Sequence, residues 1–243
     1  MPAAPAESSE SPGAVLLDVG GIFHLPSHEH VLGACTRAGF DAQVDRLDRA
    51  HYRGATAFHT DYTGELPWSD MWDGYLEAYA TELDVPDTLR ADVLEHLHAE
   101  FAVAAIWSRV VPGSIDDLRV LEATGVRIGV ISNADGTVAA RLREQEVLQV
   151  GPGIGVPVEC VIDSGEVGVL KPDPRIFTIA LDALGIRPDQ AWYVGDMPAI
   201  DVIGARSAGI RPLVIDPHGF HTARDYDTVA SLREVATLIQ ARA

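Results

Sequence analysis

Residues 16–23 read LLDVGGIF, and the way this stretch changes character decides the fold. An apolar run, Ala14 to Leu17, ends in one carboxylate, Asp18, and two glycines follow at positions 20 and 21. A short continuous apolar run bounded by turn residues predicts a buried strand, and the glycines let the backbone turn tightly beside the acid. An acid at the carboxyl end of such a strand points into the crevice where open α/β sheets bind ligands. The stretch therefore predicts the first strand of a parallel sheet with a functional carboxylate at its end.

After residue 110 the chain alternates strand and helix in the way this prediction requires. GVRIGVI, CVIDS, AWYVGD and RPLVID read as strands, separated by helical spacing over 136–146, 173–184 and 199–208 and followed by SLREVATLIQA. Strands separated by helices of this length imply a parallel sheet with right-handed crossovers. Between Pro26 and Ile106 the pattern changes: HEHVLGACTRAG, DAQVDRLDRAHYRG, DMWDGYLEAYATEL and TLRADVLEHLHAEFAV are helical, with no strand among them. The expected organisation is a disordered tail over 1–12, an α/β core from 13–25 and 108–243, and a helical insert over 26–107.

A formal net charge of −18 argues against nucleic-acid or anionic-membrane partners, which need basic patches, and requires a local cation wherever an anion is to bind. No apolar segment approaches the roughly 20 residues of a membrane span. The opening MPAAPAESSESPG is acidic and has no apolar core segment, so it does not read as a signal peptide, and a cytoplasmic protein is expected. Cys35 and Cys160 form no framework and are expected to be reduced, buried thiols. Oligomeric state is not legible.

Four strand ends or adjoining loops carry polar residues of particular types: Asp18, Ser132–Asn133, Lys171 in VGVLKPDP, and Asp196 with Asp201 in VGDMPAID. Strand ends of a parallel sheet converge, so these groups can share one crevice. Carboxylates with a hydroxyl and a lysine suit a hard cation and a phosphate. Mg2+ takes oxygen ligands, usually one or two carboxylates with phosphate oxygens and waters. The lysine neutralises charge, and Ser132 with nearby amides can donate to phosphate oxygens. Taken singly, each residue also reads as a turn or helix cap; together and in this order, a shared site is the better reading.

The order of the motifs resembles that of the haloacid dehalogenase (HAD) superfamily: Asp18 in hhhhDxGG, Ser132–Asn133 in VISNA, Lys171 in LKPDPRIF, and GDMPAIDVIGARSAGI. The resemblance implies a Rossmann-like core, with the helical insert as a mobile C1 cap. It also implies Mg2+-dependent hydrolysis of a small phosphorylated molecule through an aspartyl-phosphate. Carried over by position, Asp18 becomes the nucleophile and a Mg2+ ligand, and the Gly20 carbonyl a second ligand. Ser132 and Asn133 hold the phosphoryl group, and Lys171 fixes the charges of nucleophile and phosphate. Asp196 is a metal ligand that Asp201 supports directly or through water.

One position departs from that pattern. Phosphatases of the superfamily read DxD at the first motif, where the second acid protonates the leaving oxygen and then activates water; here that place is Gly20. Such acid–base help is typically worth about 10²–10⁴-fold. His24, with His28 and His30 beyond it, is the nearest alternative acid, although solvated helix-start residues are the plainer reading of all three. The 2-haloacid dehalogenases also lack the second acid, but they have none at the place of Asp196 either. A dehalogenase-like hydrolase and a non-catalytic binding protein are the competing readings. The aromatics His59, Tyr62, Trp68, Trp72, Tyr75 and Tyr79 read as packing within the insert, with those near PWSDMW as candidates for substrate preference.

Overall fold

The computed structural model describes residues 11–58, 68–222 and 224–242. The first strand, β1 (Ala14–Leu17), ends at Asp18. The chain then runs through β2 (His24–Pro26), α1 (His28–Arg37), α2 (Leu47–Ala57), α3 (Trp68–Glu82), α4 (Asp87–Phe101) and β3 (Trp107–Val110). It continues through α5 (Ser114–Glu122), β4 (Arg127–Ser132), α6 (Val138–Glu144), β5 (Leu148–Val150), β6 (Val156–Val158) and β7 (Cys160–Asp163). The remainder is α7 (Ser164–Val167), α8 (Pro174–Leu184), β8 (Ala191–Gly195), α9 (Pro198–Ser207), β9 (Arg211–Ile215), β10 (Asp227–Val229) and α10 (Leu232–Gln240). Among the described residues, no helix is long and apolar enough to cross a membrane.

The chain forms two compact units: one runs to Phe23 and resumes at Val110, the other is His24–Arg109. In the first, six strands form a sheet in the order β10-β9-β8-β1-β4-β7, and every pair that involves β1, β4, β7, β8, β9 or β10 is parallel. This is the α/β core the sequence implied. The chain builds outward from β1 through β4 and β7, then crosses back to β8 on the other side. β1 therefore lies at the reversal of strand order, where open α/β sheets bind ligands. Its four residues are all buried because helices cover both faces of a parallel sheet.

Local signals set the helix ends. Asp173 caps α8 by accepting from the Arg175 amide at 2.9 Å, Pro174 opens the first turn, and Gly185 closes it at φ 62°. The face so presented buries Ile176, Phe177, Ala180, Leu181 and Leu184. Each of the large side chains is worth about 1.5–3 kcal/mol of burial.

Two expectations need correction here. The tail does not extend to residue 12: Ser11 Oγ donates to the Ile239 carbonyl of α10 at 3.1 Å, and Pro12 is buried. These partners lie far away in sequence, so composition could not reveal them; residues 1–10 lie outside the described residues. Between Pro26 and Ile106 the described residues hold helices as expected, but the strands that bound this stretch, β2 and β3, were not foreseen, because they pair in a two-stranded sheet only when its ends meet. Cys35 is buried as expected, whereas Cys160 is only half-buried; both are free thiols. The short strands β5, β6 and β10 carry too few residues to show a period.

The second unit has an aromatic core. Tyr75 and Tyr79 of α3 are fully buried, and Trp72 meets Phe58, Tyr75 and Phe101 with ring centroids 5.0, 5.1 and 5.8 Å away. His51 Nδ1 and Tyr75 Oη are 2.8 Å apart. Gly54 lets α2 approach α3: a Cβ there would stand 2.7 Å from the Tyr75 ring. His59, Tyr62 and the Trp68 side chain lie outside the described residues. His28 and His30 open α1 and stay partly exposed, as expected, whereas His24 does not. His24 is buried in β2, His28 Nε2 lies 2.8 Å from Asp48, which Arg109 also contacts, and His30 Nδ1 lies 2.6 Å from Glu100. Acids from α2 and α4 reach His28 and His30, which local sequence could not show.

Candidate active site

Asp18 leaves the sheet with its backbone still in register, its N–H donating to the Val194 carbonyl of β8 at 2.9 Å. Its Oδ1 accepts from the Val19 amide at 2.7 Å, and its Oδ2 lies 2.8 Å from Lys171 Nζ. Lys171 is the chain's only lysine; every other Lys/Arg position is arginine. It is 1% exposed, while its apolar neighbour Leu170 is 51% exposed, the reverse of what hydropathy predicts.

Asn133 explains how this loop is held. Its amide donates to the Lys171 carbonyl at 3.0 Å and its oxygen accepts from the Lys171 N–H at 2.7 Å. Asn133 thus clamps the lysine backbone through its side chain. Ser132 is buried at the carboxyl end of β4, paired in register with Asp163. The loop after it is braced by Ser164, whose Oγ accepts from the Ala134 N–H at 2.9 Å and donates to the Ala134 carbonyl at 3.1 Å. Asp163 caps α7 and accepts from the Val138 amide at 3.2 Å.

Asp196 and Asp201 complete the cluster, and both are buried. Asp201 Oδ1 lies 2.9 Å from Lys171 Nζ, and its Oδ2 accepts from the Met197 amide at 2.9 Å. Asp18, Asp196 and Asp201 each offer an oxygen within 4.8 Å of the others. One ammonium, Lys171, meets two of these three buried carboxylates, Asp18 and Asp201. Burial pushes the Asp18 carboxyl up to about 7; Lys171 opposes that rise, and Asp201 and Asp196 add to it. Burial alone would lower the lysine, but Asp18 and Asp201 outweigh it and raise its pKa. An all-oxygen donor set with excess negative charge fits a hard divalent cation such as Mg2+.

The two glycines after Asp18 have different tasks. Gly21 has φ 65°, and a Cβ there would stand 2.5 Å from Asp196 Cγ. Gly20, half-buried in the same turn, is outside the left-handed region. Gly195 leaves room for the other acid, since a Cβ there would stand 2.3 Å from Asp201 Cγ. Gly21→Ala is expected to cost about 1–3 kcal/mol from backbone strain alone, read as a lower urea midpoint, and a change at Gly20 carries no such backbone penalty.

Tyr193 was not singled out in the sequence. Its hydroxyl accepts from Lys171 Nζ at 2.8 Å and donates to Asp201 Oδ1 at 2.9 Å. Within the apolar strand AWYVG its ring reads as core. The only signal was its place on β8, three residues before Asp196.

A family model described as a haloacid dehalogenase-like hydrolase matches residues 26–209, a span that includes Ser132, Asn133, Lys171, Asp196 and Asp201 but begins beyond the Asp18 turn. The chain is 51% identical to a phosphoserine phosphatase of Thermus thermophilus over 67 residues, 28% of this chain and 27% of that protein. It is 34% identical to a phosphoglycolate phosphatase of Rhodospirillum rubrum over 154 residues, 63% of this chain and 59% of that protein. The chain thus spans less than two thirds of the length of these curated relatives. A solved HAD-superfamily hydrolase from Ehrlichia chaffeensis has the same fold, with a TM-score of 0.60 at 15% identity over 97% of this chain and 99% of that one.

Proposed function

Because this chain belongs to the haloacid dehalogenase-like hydrolases, we propose that it is a Mg2+-dependent phosphatase that hydrolyses a small phosphomonoester with Asp18 as nucleophile. The observation that carries the reading is the buried group of Asp18, Asp196 and Asp201, with the Lys171 ammonium against Asp18 and Asp201. The relatives named as phosphoserine and phosphoglycolate phosphatases support it. In this reading His24–Arg109 is the C1-type cap.

Asp18 and Asp196 would hold the cation, with the Gly20 carbonyl beside them, and Asp201 would support it. The bound cation supplies positive charge that holds Asp18 ionised and offsets the phosphoryl oxygens. An Asp18 oxygen attacks phosphorus as the bond from phosphorus to the ester oxygen breaks, leaving an aspartyl-phosphate and an alkoxide that takes its proton from water. Water then attacks phosphorus, and the bond to Asp18 breaks to give inorganic phosphate and the original carboxylate. Lys171 holds Asp18 throughout, Asn133 holds Lys171, and Ser132 donates to a phosphoryl oxygen. The competing dehalogenase chemistry needs no cation and gives the third carboxylate, Asp196, no task.

The test is a screen of sugar, nucleotide and acyl phosphates with Mg2+ and with a chelator. Phosphate release that the chelator abolishes is expected; chloride release from a 2-haloacid without metal would sink the reading. A second expectation follows from the Asp18 carboxyl at about 7, since metal ligands must be deprotonated. Mg2+ should raise the melting temperature more at pH 8 than at pH 6, where a proton on Asp18 competes with the ion. An equal rise at both values counts against Asp18 as a ligand.

A further inference from the structure

We infer that Tyr193 is a positioning residue that locks the Lys171 ammonium against Asp18 by taking its third proton. The inference rests on the reading of Asp18 as the nucleophile. An ammonium has three N–H donors. Those of Lys171 meet Asp18 Oδ2 at 2.8 Å, Asp201 Oδ1 at 2.9 Å and Tyr193 Oη at 2.8 Å. The Tyr193 O–H then donates to the same Asp201 oxygen at 2.9 Å, closing a triangle of lysine, phenol and carboxylate. Asp201 is tied in turn to the Met197 amide at the start of α9.

The phenol cannot swing away. Tyr193 is fully buried in β8, and its ring meets Phe177 of α8 edge-on at 5.0 Å. A hydroxyl in the middle of an apolar strand is costly unless hydrogen-bonded, and its two bonds here explain its presence.

Two consequences follow. With all three protons engaged, Lys171 acts on the phosphoryl group through its charge and its hold on Asp18, not through a spare donor. The three acceptors also converge on one tetrahedral nitrogen, a geometry that a planar guanidinium does not offer. That gives a physical reason for one lysine in a chain whose other Lys/Arg positions are all arginine.

Tyr193→Phe keeps the ring and removes the oxygen. It is expected to lower kcat by about tenfold with KM within about twofold, because orientation is lost while substrate binding is not. Because the chain has one lysine, protein labelled with nitrogen-15 lysine gives one side-chain ammonium signal. In the unmodified protein that signal should exchange slowly with water and show a nuclear Overhauser contact to the Tyr193 ring. In Tyr193→Phe it should shift and exchange faster. A folded variant with an unchanged ammonium signal overturns the inference, as does a changed signal with unchanged kcat. If the variant does not fold, absence of the Overhauser contact in the unmodified protein overturns it and its presence supports it. If the unmodified protein hydrolyses no phosphomonoester, the proposed function fails, and the ammonium signal alone decides whether Tyr193 holds Lys171.

Discussion

Asp18→Asn is expected to lower phosphomonoester turnover by at least about 10⁴-fold, because it removes the attacking oxygen and a cation ligand together. The same variant should not melt lower than the parent at pH 8 without metal. The Asp18 carboxyl rises from 3.8 to about 7 on folding, so between those values the folded chain keeps a proton that the unfolded chain has lost. Stability therefore falls as pH rises through that window, and above it the folded protein carries the full cost of a buried charge. A neutral amide removes that cost, although it also loosens the tie to Lys171. Activity lost with stability kept marks a residue placed for chemistry rather than for folding. Steady-state assays beside metal-free melting curves at pH 8 check both halves. Turnover within tenfold of the parent would remove Asp18 from the nucleophile's place.

The second large effect is a gain. Gly20→Asp is expected to raise turnover of simple alkyl phosphates by up to about 10²–10⁴-fold, the usual worth of a positioned general acid. The proposed reading leaves the unmodified protein without a side-chain donor at this place. Its kcat/KM should then fall steeply as the leaving-group pKa rises, so that aryl and anomeric phosphates outrun alkyl ones. Aspartate at position 20 should flatten that slope. Gly20, unlike Gly21, lies outside the left-handed region, so an aspartate meets no backbone strain there. A leaving-group series run on both proteins is the measurement. A shallow slope in the unmodified protein would mean that another group already supplies the proton.

The core was legible because its signals are local. The run Ala14 to Leu17 ending at Asp18 marks a central strand, and Asp173, Pro174 and Gly185 bound α8 by side-chain and backbone preferences within a few residues. The polar residues stood at strand ends, and strand ends of a parallel sheet meet, so one crevice could be foreseen for Asp18, Lys171, Asp196 and Asp201. The strands bounding the insert, β2 and β3, were not legible because they pair across more than eighty residues, a span over which no sequence period can report.

The sequence by itself therefore determined the parallel α/β core, the helical insert and the set of polar groups at the strand ends. Only the tertiary structure decided what each of those groups touches. It turned Asn133 to the backbone of Lys171 and buried the chain's one lysine while leaving Leu170 exposed. It also separated Gly21, needed for its φ of 65° and its closeness to Asp196, from Gly20, and placed the Tyr193 hydroxyl in the lysine's triangle. The physical reason is range. Strand and helix propensities act over a few neighbouring residues, whereas the partners of a buried charge come from distant strands and exist only once the sheet has closed around it.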